Sequence, residues 1–190
     1  MKRIFYIGVI IVVFLVCYVL CHNSKYVSVK VLNEHTVVLN GNKQYDYDNS
    51  LEFLQKVLCY NDNASYVVFS AVTNDMPISN VRRFIEKTQL LFEYIDTGEN
   101  KIPVKYYSIS ESRNIQKNDC NVVNLRVGIN NYQLDSKSFK HDELFNIKFD
   151  TLCILQIICN YDSMYSDLIR LLNYIVDNPN IKEIYIIMNG

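Results

Sequence analysis

Apolar and polar residues divide the chain into an 18-residue apolar run and a longer body of short alternating and helical patterns. The run is residues 4–21, IFYIGVIIVVFLVCYVLC, with no charged side chain between Arg3 and Lys25. After it, residues 26–32 and 36–39 alternate as strands. Asn40-Gly41 then marks a turn. The stretch after Asp46 opens a helix, with Asp48, Asn49 or Ser50 as cap and Leu51, Leu54, Val57 and Leu58 on one face. Residues 65–72, SYVVFSAV, read as a buried strand. Pro77 fits the first turn of a second helix, whose apolar positions are Ile78, Val81, Phe84, Ile85, Leu91 and Phe92. Residues 102–109 make a last strand.

Residues 110–121, SESRNIQKNDCN, are polar and aperiodic and read as a linker. The same order then begins again. Residues 122–129 and 132–134 are strands, 142–149 a short helix, 151–158 a buried strand, 163–176 a helix and 182–188 a final strand. Val67-Val68-Phe69 aligns with Ile154-Leu155-Gln156 at an offset of 87, and at the same offset Asp75 meets Asp162 and Ile78 meets Tyr165. Earlier, Leu39 meets Leu134 at an offset of 95.

The expected fold class is therefore α+β: an N-terminal transmembrane helix and two tandem ββαβαβ repeats, each a sheet with two helices on one face. The expected boundaries are 1–25 for the anchor, 26–109 for the first repeat, 110–121 for the linker and 122–190 for the second repeat.

The run is long enough for a helix to cross a bilayer core of ~30 Å. Lys2 and Arg3 precede it, which puts the N-terminus in the cytoplasm and the body outside a cell membrane, periplasmic or extracellular. The alternative is a cleaved signal peptide, whose apolar region is normally shorter and ends at an A-x-A-like site. A lipoprotein signal at Cys21 is disfavoured by bulky Leu20 before it. Gly8 has no small partner four residues away, so no GxxxG face is present.

Composition narrows the function. The chain has 19 basic and 20 acidic residues, and without Lys2 and Arg3 the body carries a charge of about −3. No basic stripe is present for nucleic acid. The body cysteines, Cys59, Cys120, Cys153 and Cys159, form no CxxC and read as buried free thiols. His22, His35 and His141 lie in no HExxH, the five glycines form no phosphate loop, and there is no GxSxG. No cofactor, metal or catalytic constellation is expected. Asp75 and Asp162 each sit between a strand and a helix, where an Asp usually caps the helix, and a ligand contact is the alternative reading.

The strand–Asp–helix segments SYVVFSAVTNDMPISNVRRFIEK and LCILQIICNYDSMYSDLIRLLNYI, behind an N-terminal anchor, resemble the ExbD/TolR family of biopolymer-transport proteins. That resemblance implies an envelope protein whose anchor joins a motor complex and whose body dimerises and contacts envelope partners. Two departures stand out. The pattern occurs twice here, and the run at 4–21 has no Asp, Glu, Lys, Arg or His to carry a proton. The sequence thus points to an interaction protein that does not itself relay protons, binding an envelope protein or motor subunit and forming a homodimer. A small-ligand or peptide binder with its site between the twin halves is the alternative, and an enzyme ranks last.

Overall fold

A computed structural model of the protein describes residues 27–41, 43–48, 67–71, 76–88, 92–107 and 120–188. Within them the chain is mixed α/β, mostly strand, with two small α-helices. The first half gives β1 (Val27–Val31), β2 (Thr36–Leu39), β3 (Lys43–Asp46), β4 (Val67–Ala71), α1 (Ile78–Thr88), β5 (Tyr94–Asp96) and β6 (Lys101–Pro103). Then follow β7 (Lys105–Tyr107), β8 (Asn121–Gly128), β9 (Asn131–Leu134), β10 (Lys137–Lys140), β11 (Cys153–Cys159), α2 (Tyr165–Ile175) and β12 (Ile181–Met188).

The strands form two six-stranded sheets of order β3-β2-β1-β4-β5-β6 and β10-β9-β8-β11-β12-β7. Each begins as an antiparallel three-strand meander, whose first strand pairs in parallel with β4 or β11. A helix then leads to a further parallel strand, β5 or β12. Local chemistry sets the turns. Asn40 and Gly41 take φ of 51° and 73° between β2 and β3, where glycine carries no side-chain penalty. Asn130 and Asp135 adopt the same left-handed region in the tight turns on either side of β9, which short Asx side chains tolerate.

The expected fold class is corrected in its order of strands and helices. Among the described residues no helix is long and apolar enough to cross a membrane; residues 4–21 lie outside them. In the second half the ββαβαβ order with two helices is replaced by a three-strand meander followed by β–α–β, and in the first half β3 adds a third strand to the meander. The expected helix at 142–149 is a 3-10 turn, His141–Asn146, and its first-half counterpart lies within residues 49–66, outside the described residues. The third meander strands went unread because their residues are mostly polar and exposed: Lys43, Gln44 and Asp46 in β3, and both lysines of β10. The expected strand at 102–109 is also split. Ile102 pairs with Ile95 in the first sheet, whereas Tyr106 pairs with Ile186 in the second, so the chain changes sheets at buried Val104. The signal was Pro103, which cannot continue a ladder as donor and marks a strand's end or edge.

Both helices hold eleven residues, and their first residues, Ile78 and Tyr165, are 87 positions apart. They meet at those ends. The Ile78 N–H donates to the Ser163 carbonyl at 2.8 Å, and the Tyr165 N–H donates to the Met76 carbonyl at 2.7 Å. Pro77 and Met164 face each other between these bonds as an antiparallel bridge. At the offset of 87 Pro77 faces its own counterpart, and Ile78 and Tyr165 each donate to the counterpart of the residue two before them, which is a local two-fold relation. In the strands the correspondence runs one residue further. Leu39 and Leu134 lie opposite Val29 and Leu125, so Val27 corresponds to Val123; these face Val67 and Leu155. Buried residues of both sheets and both helices form one cluster, including Val29, Val31, Phe84, Leu125, Leu168 and Ile186.

Candidate functional site

Asp75 lies outside the described residues. Asp162 is exposed in the turn after β11, and the residue at the N-cap of α2 is Met164. The carboxylate at that helix start is Asp167, which accepts the Met164 N–H at 3.4 Å and stands 2.6 Å from His141 Nε2. Asp167 is only 2% exposed. The Tyr132 hydroxyl donates to the Asp167 carbonyl at 3.1 Å, and its ring lies 5.4 Å from that of His141. Burial, and then Asp167, raises the Tyr132 phenol above its ordinary value. Burial also pushes the Cys159 thiol up to about 12, with Asp167 adding to it, so this thiol stays protonated and inert. Ser163 does not join His141 and Asp167 as a triad: its buried Oγ donates to the Val127 carbonyl at 2.6 Å. The cluster pins α2 and the 3-10 turn to the meander.

A second cluster fixes α1 on the first meander. Asp48 pairs with Lys87, His35 and, at 3.3 Å, Arg83; Arg83 also lies 3.8 Å from Glu34. The Lys87 hydrogen bond, followed by that of His35, holds the Asp48 carboxyl down at about 2. The Tyr47 hydroxyl donates to the Glu34 carbonyl, and burial, then Asp48, pushes this phenol up to about 12. Asp48 ionises more readily in the folded chain than its ordinary value of 3.8. Its contribution is therefore present above about pH 4 and is lost as pH falls toward about 2. Asp48→Asn should cost little more than ~1 kcal/mol at neutral pH, because the partners are solvent-screened. Denaturation of both proteins across that interval should show the gap closing; a gap that is constant with pH would disprove the linkage.

The third feature is a groove of about 420 Å³ where the chain passes from one sheet to the other. Tyr94, Pro103, Val104 and Ile184 give it apolar walls, and Glu93 and Lys182 stand exposed on it. Lys105 and Glu183, also on the groove, pair at 3.0 Å. The Tyr185 hydroxyl donates to Glu183 at 2.5 Å, and Lys105 Nζ lies 5.4 Å from the Tyr185 ring centre. The Glu183 hydrogen bond raises Lys105 above its ordinary value, and burial, then Glu183, raises the Tyr185 phenol. This group is a braced ion pair set beside two opposite charges for which no ion pair is observed among the described residues. Sequence reading missed it because Lys105 and Glu183 are far apart in sequence and meet only through the change of sheet at Val104. Among the described residues, no cluster of three or more His, Cys, Asp or Glu side chains is placed to hold a metal ion. Compared with family models, curated proteins and solved structures, the chain matches none.

Proposed function

We propose that the protein is an interaction protein of the cell envelope, held at a membrane by the apolar run at residues 4–21, with its body outside the cytoplasm and acting through contact with another protein. The observation that carries this reading is the groove between the sheets, with its apolar walls, braced Lys105–Glu183 pair and exposed Glu93 and Lys182. A surface that joins apolar area to charges of both signs suits recognition of a polypeptide. The role agrees with what the resemblance to the ExbD/TolR family implies, a partner in the envelope or a motor subunit, with a homodimer as a further form. With no Asp, Glu, Lys, Arg or His between residues 4 and 21, proton transfer falls to a separate subunit. The groove's size also favours a second reading, a binder of a small ligand or peptide, since small-ligand pockets span roughly 300–1,000 Å³.

The test is photo-cross-linking in intact cells, with the reactive group at position 182 in the groove or at position 137 on the far edge strand β10. A discrete adduct from 182, absent from 137 and competed by untagged full-length protein, is the expected result. Equal labelling from both positions, or none from 182 with the protein at normal level in the membrane, would overturn the reading.

A further inference from the structure

The groove also borders a stretch of β12 that β7 does not cover. β12 pairs with β11 from Ile181 to Met188, with a register shift that leaves Lys182 without a partner in β11, but β7 covers it only at Tyr185, Ile186 and Ile187. Among the described residues, no strand pairs with β12 over residues 182–184 on that side. Of this stretch Glu183 and Ile184 are in register with β11, and of two such successive residues one presents its N–H and C=O away from β11. The other sheet edges are blunted in ways that discourage strand pairing. β3 carries Lys43, β10 carries Lys137 and Lys140, β6 carries Lys101 and Pro103, and β7 carries Lys105. The β12 edge instead has charge of both signs around an apolar wall.

We infer that this stretch of β12 takes up an extended segment of a partner polypeptide as an added strand, with an acidic side chain of that segment facing Lys182 and a basic one facing Glu93. The inference rests on the interaction reading above and names the form of the partner. About three residues of strand fit beside 182–184, a span of roughly 10 Å. Main-chain bonds to β12 supply sequence-independent affinity, and the alternate side chains supply selection. Ile184 and Val104 offer the apolar contact, and the Lys105–Glu183 pair closes the end of the site toward β7. A segment with like charges at both positions would set one of them against Lys182 or Glu93, which penalises it.

The probe is a panel of short synthetic peptides of alternating valine and threonine, carrying one glutamate and one lysine in either order, titrated against the full-length protein in detergent. One order should bind, with chemical-shift changes concentrated at the amides of Lys182, Glu183 and Ile184. N-methylation of the peptide backbone should abolish binding. Lys182→Glu and Glu93→Lys should each weaken it roughly three- to tenfold, and the double variant should bind the opposite order better. Both residues are exposed, so these variants should keep their circular dichroism and melting midpoint. No binding by any peptide at millimolar concentration overturns the inference, as does binding indifferent to N-methylation. If cross-linking from position 182 still captures a partner in those cases, strand addition fails while the interaction reading stands. Peptide binding without a captured partner supports strand addition and removes the protein-contact reading.

Discussion

Tyr165→Ala should cost about 3–5 kcal/mol of stability, read as a fall in the denaturant midpoint with one transition retained. Tyr165 opens α2, is 2% exposed, and its phenol is raised by burial and then by Asp96 of the first sheet. Its ring is therefore buried at the junction of the halves, where the Tyr165 N–H meets the Met76 carbonyl. Removing it leaves a cavity that two helix ends and a sheet would have to close together, and such sites collapse only in part. The backbone bond from Tyr165 to the Met76 carbonyl survives the substitution, so the variant should still fold. A loss below ~1 kcal/mol would mean that the helix junction contributes little. Two separate transitions would mean that the halves fold independently.

Phe84→Ala should cost a similar amount, about 3–5 kcal/mol, but by a different route. Phe84 is 1% exposed on the inner stripe of α1, with its ring edge-to-face on Tyr47 at 5.3 Å. Such a pair contributes ~0.5–1.5 kcal/mol beyond its buried area. The substitution should also weaken the polar contacts beside it, because Tyr47 anchors the Glu34 carbonyl and stands next to Asp48. The acid-sensitive share of stability assigned to Asp48 should therefore shrink in Phe84→Ala. Denaturant titrations at pH 7 and pH 3 check this; an unchanged pH dependence would separate the ring pair from the charge cluster.

What could be read from the sequence follows from how much of each element is buried. β11, CILQIIC, is buried at six of its seven positions, and β12 holds a continuous apolar end, so both stand out as hydrophobic runs. Each helix sequence shows a clear apolar stripe, and the 87-residue spacing between Ile78 and Tyr165 is kept at the junction. β3 and β10 lie at sheet edges with solvent on most positions, which erases alternation. β5 is three residues long, too short for any period to register. At the start of α2 the sequence marks Asp162, in the turn, while Asp167 inside the helix stands beside His141. A carboxylate three residues past an N-cap is a recognised helix-start signal, but Met164 at the cap hides it. The groove depends on β7 leaving its own half for the other sheet, and only Pro103 hints at that.

The two halves form one co-folded twin, closed where Met76–Ile78 meets Ser163–Tyr165. Native-state hydrogen exchange at the amides of Ile78 and Tyr165 tests it most directly. Both amides are bonded across the local two-fold, at 2.8 and 2.7 Å. They should exchange at the same free energy, equal to that of global unfolding and of core amides such as Ile157. If either amide exchanges at a far lower free energy while the strands of its own sheet remain protected, the halves open apart as separate units and the claim is contradicted.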